Sequence, residues 1–152
     1  MPSSNRCYRP GPDARSSAGS VQPVKVAVAS DMDTPLARAV VEELRSRGHE
    51  PIVHGALTDG ERSGWAWACE RAARDVAAGE ADQGVVCCWT GTGASIAANK
   101  VAGVRAALCP DAETARGART WNDANVLALS LRTTSEAVLD EILDSWFATN
   151  PS

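Results

Sequence analysis

The stretch from residue 83 to residue 99 restricts this chain more than any other. Val85-Val86-Cys87-Cys88 is an apolar run too short for a helix and suited to a central strand buried on both faces. Trp89-Thr90-Gly91-Thr92-Gly93-Ala94 follows at once, and Ser95-Ile96-Ala97-Ala98-Asn99 continues as a helix. A strand delivered through a glycine-bearing loop into a helix is half of a βαβ unit. The rest of the chain must therefore supply parallel partners for that strand.

It supplies four. Residues 24–29 form a β-branched apolar run ending at Ser30-Asp31, followed by Thr34 as a helix N-cap, Pro35 in the first turn, Leu36, Val40, Val41 and Leu44 at helical spacing, and Gly48 as the stop. Residues 49–54 read as a second strand, 58–64 as a polar loop and 65–78 as a helix ending at Gly79. Residues 104–109 read as a fourth strand, 112–121 as a helix, 126–130 as a fifth strand, and Ser135 caps a last helix reaching about residue 147. The alternation predicts an α/β fold: a Rossmann-like three-layer sandwich with a five-stranded parallel sheet and helices on both faces.

At 152 residues the chain has room for one domain. Residues 1–22, rich in Ser, Pro, Gly and Arg, are expected to be a flexible tail ahead of a single α/β domain over 23–150. A net charge of −4 without a basic run gives no reason to expect nucleic acid. No apolar stretch is long enough to span a bilayer, and the tail lacks the apolar core of a secretory signal, so a soluble, cytoplasmic protein is expected. Five cysteines without CxxC spacing or histidine companions disfavour zinc, and no metal or cofactor is called for. Cys87 and Cys88 would point to opposite faces of a strand, which argues against a disulfide between them.

In a parallel sheet the ligand site lies outside the carboxyl ends of the strands. Those ends gather Asp31, residues 88–93, residues 109–111 and residues 130–132. Thr90, Gly91, Thr92 and Gly93, leading into a helix, offer backbone N–H groups and a helix dipole to an anion or a developing oxyanion. Cys88 is either a nucleophile or proton-abstracting base, or a small buried apolar residue. Asp31 is either a site carboxylate or a helix cap. Trp65 and Trp67 either line a pocket or pack in the core, and His49 and His54 read as surface or satisfied loop histidines rather than catalytic acids.

Residues 79–84 (Gly-Glu-Ala-Asp-Gln-Gly), Cys88 with Thr90-Gly91-Thr92-Gly93, Ser95-Ile96-Ala97-Ala98-Asn99-Lys100-Val101, residues 103–109 and Asn122-Asp123-Ala124-Asn125-Val126-Leu127 together resemble the family of type B ribose-5-phosphate isomerases and galactose-6-phosphate isomerase subunits. The resemblance runs from Lys25 to about Phe147. It implies a homodimer that interconverts aldose and ketose phosphates through a cis-enediolate without metal. Cys88 would be the base moving a proton between C1 and C2, and residues 90–93 the enediolate-stabilising loop. Asp31 would match a catalytic Asp, Asn122 a substrate contact given by the neighbouring subunit, and Arg119 an arginine near the phosphate.

The chain departs from that family in four places. Met32 stands where the family has a histidine after the first Asp, and Trp121 where it has the ring-opening histidine. Gly64-Trp65-Ala66-Trp67-Ala68 replaces an Asp-Tyr-Pro-x-Tyr segment, and a C-terminal extension with phosphate-binding arginines is missing. Trp121 and Trp65 offer broad apolar faces against which a sugar can lie. The expectation is an isomerase with altered substrate, a sugar or sugar phosphate. The alternatives are a non-catalytic sugar or metabolite binder, and an epimerase or tailoring enzyme using the same carbanion chemistry.

Overall fold

The computed structural model describes residues 22–151, so the flexible tail expected over 1–22 lies, apart from Gln22, outside the described residues. The elements are β1 (Lys25–Ser30), α1 (Pro35–Ser46), β2 (Glu50–Gly55), α2 (Trp65–Ala77), β3 (Gln83–Cys88), α3 (Thr92–Asn99), β4 (Ala106–Leu108), α4 (Ala112–Asn122), β5 (Val126–Ser130) and α5 (Glu136–Ala148). All strand pairs are parallel, in the order β2-β1-β3-β5-β4. This is the expected five-stranded three-layer architecture.

Alternation along the strands sorts the core into two layers. Val26, Val28, Val85, Cys87, Leu127 and Leu129 face α1, α4 and α5. Ala27, Ala29, Val86, Cys88, Val126 and Ala128 face α2 and α3. The adjacent cysteines do point to opposite faces, and the four described cysteines are free and buried. Steps from β1 to β2 and from β4 to β5 run one way across the sheet with helices on one face. Steps from β2 to β3 and from β3 to β4 run the other way with helices on the opposite face, as a single hand of crossover requires.

Two details differ from expectation. The fourth strand keeps only Ala106–Leu108 of the predicted 104–109; just ahead of it the Arg105 N–H goes to the Asn125 side-chain oxygen at 2.8 Å, although the Arg105 carbonyl still accepts the Val126 N–H. His49 and His54 are buried, so of the two readings, surface or satisfied loop histidine, the surface one does not hold. His49 Nδ1 accepts the Val24 N–H at 3.2 Å and its ring stacks on Phe147 with centroids 4.2 Å apart. His54 bridges Glu61 and Asp75.

Candidate active site

The order β2-β1-β3 makes the chain leave β1 on one side and return on the other, opening a crevice at the carboxyl ends of β1 and β3. Ser30 pairs with Cys87 there, so Asp31 and Cys88 are the next residues of two adjacent strands. The turn after β1 is held by Ser30 Oγ, which donates to the Met32 carbonyl at 2.7 Å. Thr34, not Asp31, caps α1, its side chain accepting the Ala37 N–H at 3.1 Å. That leaves Asp31 Oδ1 buried without a hydrogen-bond partner among the described residues. Burial pushes the Asp31 carboxyl above the usual carboxylate range, against a backbone hydrogen bond that pulls it down.

Cys88 is 5% exposed, and its sulfur accepts the Ala94 N–H at 3.4 Å. The thiol therefore lies against the first turn of α3. Helix geometry leaves the earliest amides of that turn without intrahelical acceptors, so those of Thr92 and Gly93 remain for a ligand. Gly91 makes the approach possible: it takes φ +80° as the N-cap, and a Cβ there would meet the Leu108 side chain and the Leu129 carbonyl carbon, the latter at 3.0 Å. Thr90 and Thr92 share a hydroxyl hydrogen bond of 2.8 Å at the exposed lip of the loop.

The β3–β5 ladder continues past the strands and fixes this loop from the side. Leu131 N–H donates to the Cys88 carbonyl at 3.0 Å, Arg132 N–H to the Trp89 carbonyl at 2.9 Å, and Ser130 Oγ to the same carbonyl at 3.0 Å. Arg132 thus stands beside the loop with its side chain exposed and outside any ion pair recorded among the described residues. It and the half-exposed Trp89 belong to the segments 130–132 and 88–93 that end at the crevice, where sequence alone assigns neither a role of its own. Trp65, the first residue of α2, also arrives here. A Cβ on Gly93 would lie 2.9 Å from its Cε3 and 3.0 Å from its Cδ2, so the indole packs on that glycine while 43% of the residue stays exposed. Trp67 stays behind it, partly buried against the α2–α3 layer, with the Arg62 guanidinium 5.9 Å from its ring.

The remaining candidates lie elsewhere. α4 runs back from the carboxyl edge, so Arg119, Trp121 and Asn122 sit near the amino ends of the strands, where the Gly84 N–H donates to the Asn125 carbonyl. From Gly84 to Cys88 the sheet rises about 13 Å. Arg119 is 8% exposed, donates to the Ala124 and Thr149 carbonyls, and lies 5.3 Å from the Trp146 ring centroid. Burial pulls its guanidinium below the usual range. Trp121 is 72% exposed and folds back over Gly117, with the Arg116 guanidinium 5.4 Å from its ring. Asn122 is exposed, and its carbonyl accepts from Arg105 Nε at 2.7 Å. Within one chain these three cannot reach Cys88.

Among the described residues no group of three or more His, Cys, Asp or Glu side chains is placed to hold a metal ion, and no helix is long and apolar enough to cross a membrane.

Residues 26–152 match the Ribose/Galactose Isomerase family. The chain is 40% identical over 111 residues to ribose-5-phosphate isomerase B of Escherichia coli, covering 73% of this chain and 74% of that protein. It is 44% identical over 105 residues to the galactose-6-phosphate isomerase subunit LacB of Clostridium acetobutylicum, covering 69% of this chain but only 60% of that subunit's length. The structure of Trypanosoma brucei type B ribose 5-phosphate isomerase superimposes with a TM-score of 0.78 at 43% identity, covering 86% of this chain and 89% of that one.

Proposed function

The chain belongs to the ribose/galactose isomerase family, and on that premise we propose that it interconverts an aldose and a ketose, as sugar or sugar phosphate, by moving a proton between C1 and C2. The observation that carries this reading is the Cys88 sulfur seated against the Ala94 N–H at the head of α3, a helix end that no side chain caps. The Cys88 thiolate takes the C2 proton of an open-chain aldose. The C–H electron pair becomes the C1–C2 double bond, and the charge gathers on O1. The Thr92 and Gly93 amides and the Thr90 hydroxyl face that oxyanion, which is where fixed dipoles lower a barrier most. Cys88 returns the proton to C1, and Asp31, kept protonated further up the pH scale by burial, carries the exchange between O1 and O2.

Among the described residues, Arg132 is a cation beside the loop that could meet a phosphate. With Met32 and Trp121 in place of imidazoles, ring opening falls to Asp31, and the wall facing the sugar is apolar, built from Trp65 and the 40%-exposed Met32. The separation of Asn122 and Trp121 from Cys88 supports a homodimer in which a second copy brings that end to the first copy's crevice.

The test is deuterium entry at C2 when the protein is incubated in heavy water with a panel of aldoses and aldose phosphates. At least one sugar should exchange, and Cys88→Ser should slow it by about 10²–10⁴-fold. Exchange that survives Cys88→Ser, or its absence across the panel, overturns the reading. Saturable sugar binding without exchange would identify a non-catalytic binder.

A further inference from the structure

We propose that Glu61, clamped on His54, is a positioning residue that holds the Trp65 ring over Gly93 and so sets the wall on which the sugar lies. The proposal rests on the reading that Trp65 lines the sugar site.

Residues 56–64 connect β2 to α2. The first half of this loop is tied down: Ala56 N–H donates to the Ser30 carbonyl at 2.9 Å, Thr58 N–H to the Gly55 carbonyl at 3.1 Å, and Thr58 Oγ1 to the Val53 carbonyl at 2.7 Å. Glu61 is the next tie, followed by the Arg62 guanidinium 5.9 Å from the Trp67 ring. The Glu61 N–H donates to the Thr58 carbonyl at 3.3 Å, while its Oε1 accepts the Gly55 N–H at 3.2 Å and lies 3.0 Å from His54 Nδ1. Only Arg62, Ser63 and Gly64 separate it from Trp65. The helix begins there without a side-chain cap, since its N-cap is Gly64. The Gly64 carbonyl accepts the Ala68 N–H at 2.9 Å, which holds the backbone of Trp65 in the first turn, while its 43%-exposed ring depends on the loop's entry into the helix and on the flat contact with Gly93.

The other end of the clamp is rigid. His54 is 7% exposed, and its Nε2 lies 2.6 Å from Oδ2 of Asp75, whose side chain is 2% exposed and whose Oδ1 takes the Arg71 guanidinium. One imidazole thus joins β2, the loop and the late turns of α2. The charged groups facing it are Glu61 from the loop and Asp75 from α2, with Arg71 behind Asp75. Polar groups buried this deeply are costly unless each keeps its partner, so the network selects one arrangement of the loop. A helix that begins at Trp65 and is pinned at Asp75, with Glu61 fixing the entry, presents the indole at one height above the α3 amides.

The experiment uses the full chain with Glu61→Ala, Glu61→Gln, Trp65→Ala and the Glu61→Ala/Trp65→Ala pair. The first readout is the Gly93 amide resonance, which senses the ring current of the overlying indole and needs no activity. Glu61→Ala should move it toward its position in Trp65→Ala, and Glu61→Gln, which keeps an oxygen for the Gly55 N–H, should bring it back. The second readout is heavy-water exchange: Glu61→Ala should raise KM by about tenfold with kcat nearly unchanged, and the pair should be no worse than Trp65→Ala alone. A Gly93 resonance unmoved in Glu61→Ala, or effects that multiply in the pair, overturns the positioning role. A resonance that moves while KM stays constant upholds the clamp and overturns the placing of Trp65 in the sugar site.

Discussion

On one face of the sheet the packed side chains are Leu36, Leu44, Leu127, Leu139, Ile142 and Trp146; on the other they are mostly Ala68, Ala72, Ala73, Ala94, Ala98 and Cys69. The first layer contributes most of the apolar area removed from water, which is where stability comes from. The second contributes little bulk and, because its side chains are short, lets α2 and α3 lie close to the strands. That closeness brings the Ala94 amide within reach of the Cys88 sulfur and lays Trp65 on Gly93. Stability is concentrated in the bulky layer and the proposed chemistry in the thin one, and this division can be tested by perturbing each layer in turn.

The largest effect is expected from the bulky face. Trp146 is fully buried and its Nε1–H donates to Gln83 Oε1 at 2.7 Å. Trp146→Ala should cost about 3–5 kcal/mol, read as a lower urea midpoint at unchanged slope. Exchange measured per folded molecule should stay near that of the parent. A parallel loss of turnover would show that the two layers are not separable.

A smaller effect on stability, joined to a larger one on chemistry, is expected from the thin face. Ala72 is fully buried on the inner face of α2, two turns from Trp65. Ala72→Leu should cost about 1–3 kcal/mol through overpacking. Because the helix must lift to admit the extra carbons, the indole leaves Gly93, and KM for the exchanging sugar should rise. A destabilised variant with parental KM would break the link between closeness and function.

The difference between the faces was partly written in the chain. Periodicity revealed each element because strand and helix spacings are local, and the adjacent Cys87 and Cys88 announced two buried faces at once. The insertion of β5 between β3 and β4 was not legible, since a helical crossover of this length can land on the next strand position or one beyond it. Within the site, residues 88–93 could be read because they are contiguous. The indole on Gly93 could not, because it joins segments 28 positions apart. Nor could the buried His54 bridge, whose partners are 7 and 21 positions away. Arg119 matches an arginine near the phosphate only through the family resemblance, and nothing local signals that the Ala124 and Thr149 carbonyls occupy it. For Asp31 the deciding signal was present: Thr34 directly before Pro35 is the better N-cap, which frees the aspartate from that duty.

That freedom leads to the smallest expected effect. Asp31 lies at the seam between the layers, with one carboxyl oxygen buried and unpartnered. Burial raises its folded-state pKa above the value it has in the unfolded chain, so the folded state holds the proton more tightly. Below the unfolded value both states are protonated and the aspartate costs nothing. As pH rises through the window between the two values, the unfolded state releases its proton first and stability falls, a loss complete above the folded value. Asp31→Asn removes the charge that creates this loss, so its Tm should exceed the parent's at pH 7 and equal it near pH 3. The gain should stay under about 1 kcal/mol because the carboxyl is partly hydrated. Exchange should fall at the same time, since an amide cannot carry the proton between O1 and O2. A lower Tm at pH 7 would mean that the carboxylate holds the fold together, placing Asp31 with the structural groups of the bulky face rather than with the chemistry of the thin one.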